Sequence, residues 1–393
     1  MSAQPTRTNA SKQLHGYYAW TDTLKGIYYG PGSLSTALPK LRTEIGGNKA
    51  LIVTGKSLYH KTDVVKKVED LLKADNAHAG TFYEIGEHSP IAGIRKGVEV
   101  FREVGADHII SVGGGSPIDA SKAILKILHD SDGGEFGKQI AIPTTLSAAE
   151  YTFAAGYTDE QGQKVAVMGQ QLVPAGIILD AELTLSTPER LWLSTGLRAL
   201  DHAVENLYHP LIIPPLKPTY YQAISDLFTY LPRSKADPND IEARQKLQLA
   251  AWMSLWPKKA ETFSALGLSH SLGHKLGATY GIPHGITSCL TLAPTVRLKA
   301  SIAAPEDKQS LADSLFYLRE PSTGSVEGDV LKLSELIDEL VTNLGLKSNL
   351  EQYNVPREDL AGIAERALGA QLDDVDKVVG LLESIYKAPD SDA

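Results

Sequence analysis

The alternation of strand-like and helix-like segments between Lys49 and Thr145 constrains the fold more than any other feature of the sequence. Apolar runs typical of buried strands lie at 50–55, 81–85, 108–112 and 138–145, and helical patterns separate them at 62–74, 92–105 and 117–129. Strands that alternate with helices of this length pair in parallel through right-handed crossovers. The sequence therefore predicts a parallel α/β domain in this half of the chain.

The pattern changes after Pro188, where long helical segments follow one another. They lie at 189–208, 217–231 and 242–256, and a further run of helices extends from about 328 to 386. We therefore expect three parts: an N-terminal tail at 1–24, an α/β domain at 25–187 and an all-α domain at 188–393. A functional cleft is expected between the two domains, since ligand sites occur preferentially there.

The net charge of the 393-residue chain is −9, and no basic run is interleaved with aromatic residues. Both features argue against a nucleic-acid-binding surface. No apolar run approaches the roughly 18–20 residues that span a bilayer. Cys289 is the only cysteine, and we expect it to be a buried small apolar residue rather than a reactive thiol. These features predict a cytoplasmic protein without a membrane partner.

The N-terminal segment MSAQPTRTNASKQLHG lacks the apolar stretch of a secretory signal. It contains Arg7 and Lys12 but no acidic residue. We expect a disordered tail, and a transit peptide is the alternative.

A glycine-rich segment, VGGGSPIDASK at 112–122, follows the third apolar strand. Its glycines let the backbone turn sharply and approach a phosphate, and the amides that open the next helix would supply donors. The segment differs from GxGxxG, so a plain glycine turn with a serine cap is the alternative. Asp119 and Lys122 share one side of the helix and would either reach a ribose or form a surface pair. The candidate phosphate-binding residues are Gly113, Gly114, Gly115 and Ser116.

A second candidate segment, IPTTLSAAEY at 142–151, follows the last apolar strand. The hydroxyls of Thr144, Thr145 and Ser147 would lie at the carboxyl end of a parallel sheet, which is where ligands bind in such folds. Ordinary turn chemistry is the alternative interpretation.

The second half of the chain contains a histidine-rich segment, GLSHSLGHKLGATYGIPHG at 267–285, with His270, His274 and His284. Another histidine, His202, lies in the helical segment GLRALDHAVE at 196–205 and shares a face with position 198. Three imidazoles and an acid at position 198 would suit iron or zinc.

Position 198 is occupied by Arg198, a permanent cation that cannot ligate a metal. Asp201 lies about 100° round the helix from His202, so we expect its carboxylate to point elsewhere. The sequence therefore predicts no metal ion at this site.

The segments GGGSPIDASK, IPTTLSAAE, GLRALDHAVE and GLSHSLGHKLGATYGIPHG, in this order and spacing, resemble the iron-containing alcohol dehydrogenase family. The resemblance covers roughly residues 25–390. It implies a dehydroquinate synthase-like fold, with an α/β N-terminal dinucleotide-binding domain and an all-α C-terminal domain. It also implies NAD(P) in the cleft, a homodimer and, in most members, a divalent metal held by one Asp and three His.

The resemblance also implies roles for individual residues. It places the pyrophosphate at Gly113–Ser116, the nicotinamide near Thr144 and Thr145, and the ribose near Lys122. It matches His274 to a histidine near the nicotinamide and substrate. The metal-ligand histidines correspond to His202, His270 and His284. Arg198 alone departs from the pattern, at the position of the metal's carboxylate.

Two segments, IPTTLSAAEYT and ILDAELTLSTP, resemble the maleylacetate reductase branch of the family. This branch does without the usual metal, and its substrates carry carboxylates. Arg198 would then clamp a substrate carboxylate or polarise a carbonyl, with His274, or else His270, as the general acid. The alternative for Arg198 is an intrahelical pair with Asp201 or Glu205, or a solvated surface position.

Cofactor preference has one clue in the segment VTGKSLY at 53–59. Gly55 stands where NAD-preferring members of the family tend to carry Asp, so a 2′-phosphate is not repelled there. Lys56 or Lys61 would neutralise that phosphate. This favours NADP over NAD.

The sequence thus predicts a metal-independent NAD(P)H-dependent reductase of a small carbonyl or keto-acid substrate, similar to maleylacetate. Two alternatives remain at this level. One is a non-redox lyase, isomerase or cyclase that kept the fold after losing the metal, because histidines suffice for proton abstraction beside a carbonyl. The other is a binding protein descended from an enzyme.

Overall fold

The computed structural model describes residues 21–86, 89–161, 164–257, 264–369 and 372–387. Its strands are β1 (Gly26–Tyr29), β2 (Ala50–Val53), β3 (His78–Phe82), β4 (His108–Gly113), β5 (Lys138–Pro143), β6 (Ala154–Thr158), β7 (Lys164–Met168) and β8 (Gly176–Leu179). The helices that lie between the first five strands are α1 (Leu34–Ile45), α2 (Lys56–Lys61), α3 (Val64–Ala74), α4 (Ile91–Glu103) and α5 (Gly115–Asp132).

The remaining helices follow the last strand. They are α6 (Glu189–Asn206), α7 (Lys217–Ala236), α8 (Ile241–Ser254), α9 (Leu268–Tyr280), α10 (His284–Ile302), α11 (Pro305–Ala312), α12 (Ser314–Leu318), α13 (Val326–Asn343), α14 (Leu360–Leu368) and α15 (Val375–Ser384). A parallel α/β domain followed by a helical domain is the fold class that the sequence predicts, and it is confirmed.

Six strands form one parallel sheet in the order β1-β8-β5-β4-β2-β3. The chain runs outward from β2 to β3 at one edge and returns to β4 on the other side of β2. The carboxyl ends of β2 and β4 therefore flank the point at which the strand order reverses, and ligands bind outside such a point in open α/β sheets. The topology therefore predicts a ligand site at the residues that follow β2 and β4.

The sheet is buried on both faces by helices, as a parallel sheet requires. Successive residues of a strand point to opposite faces. On β4, Ile110 therefore packs in one apolar cluster with Leu41 of α1 and Val68 of α3, whereas Ile109 packs in another with Ile94 of α4 and Ile124 of α5. The loops at the carboxyl ends of the central strands are therefore attached to a well-packed sheet.

Helix α6 is the central element of the helical domain. It begins at Glu189, directly after Pro188, and every residue from Trp192 to Asn206 is buried. Polar residues within this stretch therefore have to find partners inside the protein. None of the helices in the described part of the chain is both long and apolar enough to cross a membrane.

The end of the expected N-terminal tail belongs to the folded domain. Residues 1–20 lie outside the described part of the chain, but Thr21 and Leu24 are buried, and Leu24 packs in a cluster with Tyr151 and Ile177. Residues 21–24, which the expected boundary places in the tail, therefore contribute to the packing of the α/β domain. Cys289 is buried as expected, and burial raises the pKa of its thiol to about 12.

Candidate active site between the two domains

The glycine loop after β4 packs directly against the segment that follows β5. A Cβ on Gly114 would lie 3.1 Å from Thr145 Cγ2, and a Cβ on Gly115 would lie 3.3 Å from Ser147 Oγ. Gly113 has φ +137°, a conformation that residues with a side chain rarely adopt. The structure therefore brings the two candidate ligand segments into contact, and the backbone conformation at Gly113 favours glycine.

Helix α5 begins at Gly115, within this loop. Its free amides and the positive end of its dipole consequently lie at the reversal point of the strand order. Ser116 is half-buried in the first turn of the helix. This arrangement is suited to a phosphate group, and the pyrophosphate that the resemblance implies here stays a prediction.

The segment after β5 also connects the two domains. Thr144 N donates to Gly113 O at 2.9 Å, and Leu146 N donates to Thr195 Oγ1 of α6 at 3.1 Å. The side chains of Thr144 and Thr145 are buried, whereas that of Ser147 is half-buried beside the glycine loop. These contacts join the glycine loop, the segment after β5 and α6.

Gly55 lies at the other side of the reversal point, between β2 and α2. A Cβ on Gly113 would approach Leu58 of α2 to 3.7 Å, so α2 adjoins the glycine loop. The side chains of Lys56 and Lys61 are exposed. The start of α2 therefore carries an exposed lysine beside the glycine loop, and the charge of Lys56 also acts on the carboxylate of Glu84, whose pKa is lowered mainly by its hydrogen bond to Lys96.

Lys122 does not lie where a ribose contact would require it, and this corrects the expectation. Its side chain is 0% exposed, and Nζ donates to the carbonyl oxygens of Ala149, Thr152 and Ala154 at 2.7–3.0 Å. Asp119 is 3.9 Å from Nζ and accepts a hydrogen bond from Gly156 N. Lys122 thus stabilises the loop between β5 and β6 through hydrogen bonds to its carbonyl groups. Helical spacing alone does not predict these contacts.

Replacing Lys122 with methionine should lower the free energy of unfolding by about 2–3 kcal/mol, because three buried carbonyls lose their donor. Burial lowers the pKa of Lys122 to about 8, below the 10.5 of an exposed lysine. Between about pH 8 and pH 10.5, Lys122 binds its proton more strongly in the unfolded chain than in the native protein. The contribution of Lys122 to the free energy of unfolding therefore rises with pH in this range. The deficit of the variant should therefore grow from pH 7 to pH 10 in urea denaturation.

Lys126→Met provides the matched control for this prediction, because Lys126 lies on the same helix and pairs with Asp130 near the surface. It should change stability by less than about 0.5 kcal/mol. Equal stability of the two variants would show that the loop does not depend on Lys122.

The structure brings the four histidines singled out in the sequence into one cluster. The ring centroids of His202 and His270 are 4.7 Å apart, those of His270 and His274 are 6.4 Å apart, and those of His274 and His284 are 5.9 Å apart. His202 and His270 are buried, His284 is half-buried and His274 is exposed. His274 therefore marks the solvent side of the cluster, and His202 and His270 form its floor.

Arg198 is buried inside this cluster, with only 8% of the residue exposed. Nη1 donates to Ser288 Oγ at 3.2 Å, and Nη2 lies 3.4 Å from His274 Nε2. Because a guanidinium only donates, His274 Nε2 must accept, and the proton of the neutral ring lies on Nδ1. A solvated surface position for Arg198 is therefore wrong, whereas its pairing with Asp201, at 3.7 Å, is present.

The sequence predicts that the carboxylate of Asp201 points away from the histidines, but in the structure it points into the hydrogen-bond network around them. Oδ2 accepts hydrogen bonds from Ser269 Oγ at 3.1 Å and Ser288 Oγ at 2.6 Å, and Oδ1 lies 3.3 Å from His270 Nδ1. The angular separation from His202 on α6 was correctly judged, but α9 and α10 pack on the side to which Asp201 points. Burial acts to raise the pKa of Asp201, but the charges of His270 and Arg198 hold it below its usual value.

Glu205 is a member of the cluster that sequence reasoning did not single out. Oε2 accepts from His270 Nδ1 at 2.7 Å, and Oε1 accepts from Ser269 N at 2.8 Å and Tyr208 OH at 3.0 Å. Asp201 and Glu205 are four residues apart on one face of a helix, and this spacing was the available signal. It was ambiguous because such pairs usually lie on a solvated face.

The two floor histidines are driven in opposite directions by their surroundings. Burial and Arg198 act to lower the pKa of His270, but Asp201 and Glu205 outweigh them and raise it. Burial, together with the charges of His270 and Arg198, lowers the pKa of His202 well below its usual value. His202 is therefore a neutral imidazole at physiological pH.

The guanidinium of Arg198 stands at the position of the expected carboxylate and, as a cation, opposes a divalent metal among the histidines. Asp201, Glu205 and His270 offer a second set of ligand atoms, all within 4.8 Å of one another. In that set, however, His270 Nδ1 needs its proton for the bond to Glu205, and a ligating nitrogen must be unprotonated. These residues form a hydrogen-bonded network of charges, but His202 Nδ1 and His270 Nε2 are buried without a hydrogen-bond partner in the described part of the chain, so the cluster also contains ring nitrogens available to a ligand.

Comparisons with known proteins identify the family of this chain. Residues 25–181 match the family "Iron-containing alcohol dehydrogenase", and residues 192–378 match "Fe-containing alcohol dehydrogenase family, C-terminal". Maleylacetate reductase of Rhizobium sp. (strain MTP-10005) is 29% identical over 352 residues, which are 89% of this chain and 91% of that protein. NAD-dependent methanol dehydrogenase of Bacillus methanolicus is 29% identical over 352 residues, which are 86% of this chain and 90% of that protein.

Solved structures lead to the same family. The crystal structure of maleylacetate reductase from Agrobacterium tumefaciens has a TM-score of 0.76 and 26% identity to this chain, and the match covers 95% of this chain and 99% of the other. The two family matches together span most of the sequence, in the order of its two domains. The chain therefore belongs to the iron-containing alcohol dehydrogenase family and is an NAD(P)-dependent oxidoreductase.

Proposed function

We propose that this enzyme is a metal-independent reductase of a small keto acid, with NADPH as the preferred reductant. The observation that carries the proposal is the buried guanidinium of Arg198, whose Nη2 lies 3.4 Å from His274 Nε2. A fixed cation at this point would supply the positive charge that a metal ion supplies in most members of the family. The similarity to maleylacetate reductases supports a substrate that carries a carboxylate.

The chain's own residues are arranged to hold the reductant. The amides of Gly115 and Ser116 at the start of α5 would hold the pyrophosphate, and Thr145 and Ser147 would line the path toward α6. When bound, the nicotinamide supplies the hydride that is added to the carbonyl carbon. Gly55 and the exposed Lys56 leave room and positive charge for a 2′-phosphate.

Arg198 and His274 have different roles at the carbonyl oxygen of the substrate. As the carbon accepts hydride, negative charge develops on the oxygen, and the guanidinium stabilises it. His274 in its doubly protonated form would donate the Nε2 proton to that oxygen, which completes the alcohol and leaves the neutral ring that accepts from Arg198 Nη2. Its exposed position allows solvent to return the proton. The planar fork of an arginine binds two neighbouring oxygens at once, so a carbonyl near a carboxylate is the matching substrate.

The test is NADPH oxidation by the purified enzyme with maleylacetate as the substrate, before and after dialysis against a strong chelator. We expect activity to change by less than about twofold on chelation, and kcat/KM with NADPH to exceed that with NADH by about tenfold. Loss of activity on chelation, with recovery on adding ferrous or zinc ions, would contradict metal independence. Consumption of the substrate without nicotinamide oxidation would indicate the non-redox alternative.

A further inference from the structure

We infer that Asp201 and Ser288 form a guanidinium cradle that positions Arg198 for its role at the substrate. This inference rests on the proposed function only in assigning Arg198 to the substrate. The cradle itself is a property of the buried network, and it assigns Asp201 and Ser288 as positioning residues.

Two contacts link the guanidinium of Arg198 to Asp201, one direct and one through a hydroxyl. The direct contact is the ion pair with Asp201 Oδ2 at 3.7 Å. In the second, Arg198 Nη1 donates to Ser288 Oγ at 3.2 Å, and Ser288 Oγ donates to the same carboxylate oxygen at 2.6 Å. The hydroxyl thus accepts on one side and donates on the other, which fixes the guanidinium relative to the carboxylate.

The carboxylate of Asp201 is itself held by residues from other helices. Ser269 Oγ of α9 donates to Oδ2 at 3.1 Å, and Oδ1 lies 3.3 Å from His270 Nδ1, while Ser288 approaches from α10. Asp201 is completely buried. The carboxylate therefore stays in one position inside the protein and fixes the position of the guanidinium of Arg198.

Glu205 cannot take over this role. Both of its oxygens already accept hydrogen bonds, Oε1 from Ser269 N and Tyr208 OH, and Oε2 from His270. A buried guanidinium without a counterion is strongly disfavoured. Arg198 in this place consequently depends on an acid at position 201, and the two residues function as a pair.

A cradle of this kind should bind a free guanidinium ion when the arginine side chain is removed. Arg198→Ala opens that space and keeps Asp201 and Ser288, and the binding of guanidinium chloride at millimolar, non-denaturing concentrations can be measured by calorimetry. We expect saturable binding to R198A and at least about tenfold weaker binding to R198A/D201N. Potassium chloride at the same concentrations controls for ionic strength, and NADPH titration shows that each variant is folded.

Activity provides a second readout of the same variants. Guanidinium should raise the keto-acid reductase activity of R198A by about tenfold or more and leave that of R198A/D201N unchanged. If the proposed reaction is wrong, no variant reduces the keto acid, but the calorimetric difference persists, so the two failures are distinguishable. Equal guanidinium binding by the two variants, or binding by neither, would overturn the cradle.

Ser288→Ala tests the cradle in a chain that retains both charges. It removes the bridging hydroxyl only, so we expect kcat for the keto acid to fall about tenfold while the Kd for NADPH stays within about twofold. An unchanged kcat would contradict a positioning role for the hydroxyl.

Discussion

The double variant R198D/D201N is expected to bind one zinc ion with a submicromolar Kd, whereas the native chain should bind none stoichiometrically. Aspartate at 198 would add a carboxylate to the face of α6 that carries His202, beside His270 and His284. Asparagine at 201 removes the acid that would compete for the same ion. The bond from His270 Nδ1 to Glu205 leaves Nε2 of that ring free to ligate.

Metal analysis after equilibrium dialysis, with a chelating dye as competitor for the Kd, measures this outcome. The matched control is R198M/D201N, which also lacks the guanidinium but offers no acid, and it should bind zinc at least about a hundredfold more weakly. Tight stoichiometric zinc in the native chain would contradict the view that Arg198 takes the place of the ion. Such a result would also contradict metal independence.

Arg198→Met is expected to lower kcat/KM for the keto acid by about a thousandfold, or about 4 kcal/mol of transition-state stabilisation. Methionine is similar in length and apolar, so the variant loses the charge and the donors with little change in volume. Asp201 keeps its hydrogen bonds from Ser269 and Ser288 and its contact with His270, so we expect the fold to persist. Steady-state kinetics and NADPH titration measure the two effects separately.

Arg190→Met is the control for this prediction. Arg190 lies near the start of the same helix but is exposed and donates only a 3.4 Å hydrogen bond to Tyr353 OH. Its replacement should change kcat/KM by less than about twofold. If Arg198→Met changed kcat/KM as little as this control, Arg198 would have no part in the chemistry.

The strongly patterned parts of the α/β domain were predictable from the sequence. The runs at β2, β4 and β5 are mostly apolar because these strands are buried on both faces, and the helices between the strands have clear amphipathic periods. Strands β1 and β8 were not predicted, because β1 is an edge strand that is only partly buried and β8 follows the β6–β7 hairpin instead of an α-helix. The hairpin of β6 and β7 was also missed, since its pairing is antiparallel and does not follow the strand–helix rhythm.

The candidate site was predictable in its list of groups but not in its contacts. The helical spacing of Arg198 and His202, and of His270 and His274, could be read from the sequence. The position of Asp201 could not, because its partners Ser269 and Ser288 come from α9 and α10 and are separated from it by 68 and 87 residues.

The sequence by itself determined which chemical groups are present and which of them share a helical face, because helix geometry is local and periodic. It therefore established that a permanent cation stands at position 198 and that glycines follow β4. Only the tertiary structure decided where that cation's counterion lies and that Lys122 is enclosed by carbonyls. Both outcomes depend on the packing of distant helices and loops, which brings polar groups together in a buried environment where each must find a partner.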